Sequence, residues 1–120
     1  MSVRAIRGAI QVESDTVTSI HEGVKELLTA ILIANSLTPA EVISVILTAT
    51  PDLTADFPAA AAREIGFGAV PLLCAAEIDV PGALSRIIRV MLHCETEKNS
   101  AQINHIYLKG AVALRRDLAQ

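Results

Sequence analysis

Two arginines inside apolar, strand-like segments are the residues of this chain best suited to chemistry. Arg7 lies in a segment of β-branched and small residues at positions 3–12, and Arg89 lies in a similar segment at positions 85–95. A guanidinium keeps its charge and is costly to bury alone, so each arginine needs an anionic partner. That partner is a protein carboxylate or a bound anion, although a solvated sheet face would also satisfy an arginine.

The number of arginines favours an anionic ligand, and the alternation of side chains along a strand indicates on which face each arginine lies. Seven of the ten basic residues are arginine, the side chain whose planar fork best matches a carboxylate. Alternation places Arg7 on one face with Ala9 and Arg89 on one face with Met91, while Arg86 falls on the opposite face of its strand.

The other candidate residues are single side chains without a catalytic motif. Glu77 follows a short apolar segment, where a carboxylate is most often solvated. Cys74 would need an activating cation to be a nucleophile, and no motif joins it to a histidine, so a buried structural thiol is favoured. The histidines and cysteines lack metal-ligand spacing, and no glycine-rich phosphate loop is present. The set suits binding and electrostatic stabilisation, with no cofactor.

The composition is apolar for a short chain and predicts a subunit interface. At 120 residues the chain has the length of one domain, residues 1–120. Yet 52% of its residues are hydrophobic and the mean hydropathy is +0.47. The longest uncharged stretch, residues 27–40, is too short and too polar to span a bilayer. We therefore expect the surplus apolar surface to be buried between subunits of an oligomer.

Charge and residue usage also exclude classes of partner. A net charge of −3 and only one tyrosine and two phenylalanines argue against a nucleic-acid partner. The start of the sequence lacks the apolar segment of a signal peptide, and two cysteines make no disulfide framework. These features predict a cytoplasmic protein with reduced thiols and no membrane partner.

Hydrophobic periodicity predicts the elements that position these residues. Strand character is found at residues 3–12, 42–50, 70–74, 85–95 and 104–109. An amphipathic helix capped by Asp15 or Thr16 extends to Asn35, and a second helix is predicted at residues 57–65. This pattern predicts an α/β or α+β sheet domain with its helices on one face.

Short segments, in one order along residues 3–118, resemble the small monofunctional chorismate mutases of the α/β homotrimeric class. They are RAIRGA at 4–9, TATPDL at 48–53, FPA at 57–59, RE at 63–64, VPL at 70–72, IRVM at 88–91, HIYL at 105–108 and LRRDL at 114–118. The resemblance implies a five-stranded mixed sheet with two helices on one face. It also implies three subunits that form a trimeric pseudo-α/β-barrel with active sites at their interfaces.

The resemblance also implies the reaction. Chorismate would become prephenate by an intramolecular 3,3-sigmatropic (Claisen) rearrangement, on the route to phenylalanine and tyrosine, without a metal or cofactor. Arg89 would donate to the ether oxygen, Arg7 and Tyr107 would hold carboxylates, and Glu77 would accept from the ring hydroxyl. The rest of the implied substrate-binding set is Phe57, Ala59, Arg63, Leu72, Leu73, Cys74, Ala75, Ala76, Leu114 and Arg115.

The sequence departs from the family pattern at two positions, and two alternatives stay open. Ala60 stands where the family often has lysine, and Arg116 stands where the C-terminal tail usually has proline. We expect that tail still to close over substrate but to be more mobile. The alternatives are an imine deaminase-like hydrolase of similar shape and a non-catalytic trimer that binds a metabolite.

Overall fold

One five-stranded sheet with two α-helices forms the molecule, in a computed structural model that describes residues 1–115. The strands are β1 (Ser2–Gln11), β2 (Val42–Ala49), β3 (Leu72–Ala76), β4 (Ile87–Thr96) and β5 (Ile106–Leu108). The helices are α1 (Val17–Ala34) and α2 (Pro58–Ala62). The strand order is β3-β2-β4-β1-β5, with β4 antiparallel to both neighbours and the outer pairs parallel. This confirms the predicted mixed sheet of an α+β fold.

Helix α1 begins and ends where capping predicts. The Thr16 hydroxyl accepts a hydrogen bond from the Ser19 amide at 3.1 Å and so caps the first turn. The apolar residues at helical spacing are all buried: Ile20, Val24, Leu27, Leu28 and Ile31. At the other end the buried Asn35 side chain donates to the carbonyls of Ile31 and Asn104, each at 2.9 Å. These bonds tie the end of α1 to the segment before β5.

The core lies between the helices and one face of the sheet. Ile6 and Ile10 of β1 and Leu92 of β4 point into it and are at most 1% exposed. A Cβ at Gly8 would lie 2.7 Å from Ile31 Cδ1, so the glycine is what lets α1 approach β1 this closely.

The opposite face of the sheet is largely uncovered within residues 1–115. Only its β5 corner is covered, where the 3₁₀ segment Lys109–Leu114 packs its Ala111 against Tyr107 and Ala9. Elsewhere the face presents apolar side chains to solvent, among them Leu73 at 61% exposure. We call this surface the open face. None of the helices in the described part of the chain has the length and apolar character that crossing a bilayer requires.

Two predicted elements have different boundaries. The strand predicted at residues 70–74 begins and ends two residues later, as β3. Val70 lies outside it because its amide donates a hydrogen bond back to the Phe67 carbonyl at 3.1 Å, which closes a turn. The helix predicted at residues 57–65 is α-helical only over α2. A wider π-type turn, Arg63–Phe67, follows it and contains Gly66 at φ +101°, where the helical direction ends.

Arg86 is not part of β4, so the prediction that it lies within this strand, on the face opposite Arg89, is wrong. Its φ is +56° and its amide donates to the Asp52 carboxylate at 2.8 Å, which turns the chain just before Ile87. Its Nε donates to the Val12 carbonyl at 3.0 Å. Arg86 therefore anchors the start of β4 and belongs to the framework.

Candidate active site

Neighbouring strands place the candidate side chains in one row across the open face. In the sheet register Thr48 is opposite Arg89, Arg89 is opposite Ala9, and Ala9 is opposite Tyr107. Adjacent strands lie about 4.8 Å apart, so these four residues are close neighbours. Arg7 lies two residues before Ala9 and so shares its face. Ala9 itself is fully buried and packs with Tyr107 and Ala111.

Glu77 lies at the end of this row because its backbone extends the pairing of β3 with β2. Its amide donates to the Ala49 carbonyl at 2.9 Å. Its Oε1 lies 3.1 Å from Arg89 Nε, and the Thr48 hydroxyl donates to its Oε2. The Glu77 side chain is 19% exposed and that of Arg89 is 44% exposed, so this ion pair is half-shielded from solvent. Because the contact is at Nε, Glu77 meets the Arg89 guanidinium from its side and not end-on.

A cavity of about 220 Å³ is formed around these groups. It is lined by Arg7, Gly8, Thr48, Glu77, Arg89, Val90, Met91 and Tyr107. Within residues 1–115 the Arg7 guanidinium pairs with no carboxylate and the Tyr107 hydroxyl has no hydrogen-bond partner. Two guanidinium groups therefore face one carboxylate, and several donors point into the same space. Such a site can bind a multiply charged anion and stabilise negative charge that develops on it.

Neither thiol is placed as a nucleophile in this cavity. Both cysteines are free; Cys94 is fully buried on the core face of β4, and burial raises the pKa of its thiol. Cys74 is half-buried and packs against the core. Within residues 1–115 no group of histidine, cysteine and carboxylate side chains is arranged to hold a metal ion.

His105 supports the backbone beside the cavity. Its Nδ1 accepts a hydrogen bond from the Arg7 amide at 2.9 Å, so this nitrogen carries no proton. Burial lowers the pKa of His105, and the charges of Arg7 and Arg115 lower it further. The imidazole is therefore neutral at neutral pH and holds β1 at the position of Arg7.

Two larger grooves contain more of the predicted residues, and the first of them adjoins this cavity. One of about 440 Å³ shares Glu77 and Arg89 with it and includes the predicted Leu114. Another of about 460 Å³ is lined by Phe57, which is 71% exposed, and by the predicted Cys74, Ala75 and Ala76. The open face therefore continues past the row of polar residues on the β3 side.

The remaining predicted residues do not line the small cavity. Ala59 is buried in the core of its own chain, and Leu72 packs against that core, whereas Leu73 lies on the open face. Arg63 is exposed at the end of α2. Arg115 is the last described residue, near enough to His105 to lower its pKa. The predicted closure of the tail lies outside the described residues.

The loop before α2 is held by two acidic side chains. Asp15 accepts from the amides of Thr54 and Ala55, each at 2.9 Å, and these bonds lower the pKa of its carboxyl. Asp56 accepts from His21 Nε2 at 2.7 Å, and that bond is the main cause of its lowered pKa. The exposed Phe57 is thereby presented from an anchored loop.

Sequence reasoning missed Thr48, His105 and Gly8 as contributors to this site. A usable signal was present for Thr48, because it is a polar residue on the face of β2 opposite the buried Val45 and Leu47. No signal identified His105, whose contact with Arg7 spans 98 positions.

Comparisons with known proteins identify the family of this chain. The chain matches the family model described as chorismate mutase type I over residues 3–118. Chorismate mutase AroH of Thermus thermophilus is 50% identical over 117 residues, which cover 97% of this chain and 96% of that protein. Chorismate mutase AroH of Bacillus subtilis (strain 168) is 46% identical over 120 residues, covering 99% and 94% respectively. The solved chorismate mutase structure from Clostridium thermocellum has a TM-score of 0.90 at 44% identity, covering 92% of this chain and 98% of that one.

Proposed function

The chain belongs to the type I chorismate mutases, and from this premise we propose how its cavity converts chorismate into prephenate. The enzyme is an isomerase whose reaction breaks one C–O bond as one C–C bond forms within the same molecule. No proton is exchanged with the protein. The protein must hold a flexible dianion in its compact conformer and stabilise the negative charge that grows on the ether oxygen.

Arg89 is the donor to that ether oxygen. Its Nε is held by Glu77 at 3.1 Å, which orients the guanidinium without using its end-on fork. A fixed donor aimed at developing charge is worth about 3–4 kcal/mol of transition-state stabilisation, because it needs no reorganisation during the reaction. The half-buried setting strengthens this interaction relative to water.

The other polar groups of the cavity bind the ground state as well as the transition state. The Arg7 guanidinium and the Tyr107 hydroxyl hold the substrate carboxylates. Glu77 accepts from the ring hydroxyl, for which its oxygens still have lone pairs beside the bonds from Thr48 and Arg89. Together they restrict the substrate to the reactive conformer.

A homotrimer with interfacial active sites completes this proposal. Two features of the single chain support a covering subunit. Val3, Ile46 and Leu73 on the open face are 57%, 37% and 61% exposed. The cavity of about 220 Å³ is also smaller than the roughly 300 Å³ at which ligand pockets usually begin.

The neighbouring subunit supplies the missing wall. Phe57 is 71% exposed on an anchored loop, and Arg63 is exposed one helix length further on. An exposed aromatic ring beside a cation suits a wall that closes over a dianionic ring compound, so we assign Phe57 and Arg63 to the site of the adjacent subunit. Ala59 supports this wall from within its own core.

Some predictions from the sequence carry over unchanged into this proposal. We propose a cytoplasmic, single-domain enzyme of aromatic amino acid biosynthesis whose partners are chorismate, prephenate and its own copies. Ala60 lies in α2 beside the proposed wall and removes one positive charge from it. Leu114 and Arg115 lead into the tail proposed to close the mouth.

The decisive experiment is direct turnover of chorismate. Purified protein should abolish the ultraviolet absorbance of the chorismate diene and produce prephenate, and Arg89→Ala should lower kcat by about 100- to 1,000-fold. A folded wild type without turnover would contradict the assignment and favour a binding protein. Hydrolysis of an imine substrate in the same preparation would favour the deaminase-like alternative.

A further inference from the structure

The side chain of Thr48 makes a contact that the reaction itself does not require. Its hydroxyl donates to Glu77 Oε2, on the carboxylate whose other oxygen lies 3.1 Å from Arg89 Nε. We propose that Thr48 is a positioning residue: it fixes Glu77, and through Glu77 it fixes the Arg89 guanidinium that stabilises the transition state. This inference rests on the function proposed above and adds a residue to it.

The sheet places Thr48 where it can do this with little freedom of its own. It is opposite Arg89 on β4 and opposite Ala75 on β3, in the interior of β2, so its backbone is paired on both sides. A β-branched side chain in a strand is restricted about χ1, and the Thr48 hydroxyl therefore has a narrow choice of direction. The carboxylate of Glu77, by contrast, lies beyond the end of β3 on a side chain with three rotatable bonds.

Without the Thr48 hydroxyl, Glu77 has other ways to meet Arg89. A carboxylate and a guanidinium prefer a bidentate pair, which can form at the end-on fork as well as at the Nε side. An end-on pair would use the terminal nitrogens that the substrate needs. By occupying Oε2, Thr48 favours the observed Nε contact and keeps the fork of Arg89 directed into the cavity.

The expected kinetic signature separates positioning from binding. A displacement of about 1 Å at the reacting atoms can lower a rate by about 100-fold. Arg7 and Tyr107 make no hydrogen bond to Thr48 within residues 1–115, and Glu77 keeps a carboxylate that can accept from the ring hydroxyl, so the affinity for the ground state should change little. Loss of the hydroxyl should therefore lower kcat and leave KM nearly unchanged.

The test uses Thr48→Val, which removes the hydroxyl at nearly constant volume, and Thr48→Ser, which keeps it. We expect kcat of Thr48→Val to fall by about 10- to 100-fold with KM within about threefold. Thr48→Ser should stay within about threefold of wild type. The matched control is Thr96→Val, the same exchange at the far end of β4, where the hydroxyl accepts from the Lys98 amide.

A double-mutant cycle distinguishes a positioning role of Thr48 from a purely structural one, because it measures whether the effect on kcat depends on Glu77. In a Glu77→Ala background, which leaves no acceptor for the hydroxyl, Thr48→Val should change kcat by less than about twofold, because the hydroxyl acts through the carboxylate. An undiminished effect in that background would show that Thr48 only stabilises the fold and would overturn the inference. If Thr48→Val does not fold, Thr48→Ala replaces it in both backgrounds, with folding checked by circular dichroism.

The remaining outcomes distinguish a failure of the positioning role of Thr48 from a failure of the proposed mutase function. An active wild type whose kcat is unchanged by Thr48→Val refutes the positioning role and leaves the mutase function intact. An inactive wild type refutes the function itself. Loss of activity in Thr48→Ser equal to that in Thr48→Val would also refute the role of the hydroxyl.

Discussion

Replacing Arg89 by lysine separates the geometry of this side chain from its charge. Lysine keeps one positive charge but presents a single ammonium instead of a planar fork. The Arg89 Nε contact with Glu77 at 3.1 Å already uses one side of the guanidinium. A lysine ammonium would be drawn to the same carboxylate, and the ether oxygen would lose its donor. We therefore expect Arg89→Lys to lower kcat by about 100- to 1,000-fold, the usual consequence of losing one fixed donor to developing charge.

The assay is the initial rate of loss of the chorismate diene absorbance over a range of substrate concentrations. Arg4→Lys is the matched control, because Arg4 lies on the same strand as Arg7 but donates its Nε to the Lys98 carbonyl at 3.1 Å. It should keep wild-type kcat and KM. If Arg89→Lys retained kcat within about tenfold, positive potential alone would account for the catalysis and the argument from fork geometry would be refuted.

Three further substitutions test the framework around the site. Gly8→Ala should lower the free energy of unfolding by about 1–3 kcal/mol, because the new Cβ would lie 2.7 Å from Ile31 Cδ1. Urea titrations at fixed protein concentration measure this change, and an unchanged free energy of unfolding would contradict the close packing of α1 on β1. The pKa of His105 is lowered from 6.5, so the folded state binds fewer protons than the unfolded state and stability should fall as the pH drops below 6.5. His105→Gln should remove that slope from the melting temperature, and an identical slope would disprove the assignment. The pKa of Asp15 is lowered from 3.8, so its contribution is present above that pH and lost as the pH falls through the folded pKa. Asp15→Asn should melt below wild type at neutral pH, with a difference that narrows in acid; a constant difference would exclude the ionised carboxylate as its cause.

Local sequence patterns were sufficient to predict features that depend on a single helix or strand. The cap at Thr16, the buried stripe of α1 and the faces of Arg7 and Arg89 follow from neighbouring residues and from fixed side-chain periods. The predicted ends of strands and helices were less accurate where a turn sets the end of the element. Arg86 leaves the strand pattern because Asp52, distant in sequence, binds its amide.

The family resemblance supplied roles that the residue types left open. From the residues alone, Glu77 was most simply a solvated carboxylate, and Arg89 could equally have paired with protein or ligand. The structure brings both together and shows that Arg89 has a protein partner at Nε. The ligand contact that we propose for Arg89 uses the other edge of the same guanidinium.

The sequence by itself determined the types of the elements, the face on which each arginine lies and the excess of arginine that suits an anionic ligand. Only the tertiary structure decided that Thr48, Glu77 and Arg89 form one hydrogen-bonded chain, because their contacts depend on the register of β2 between β3 and β4. Register is set by long-range pairing and core packing, and a shift of one residue would turn every side chain of a strand to the other face. The residue types therefore indicated a site for an anion, whereas the positions of the atoms that form this site required the assembled sheet.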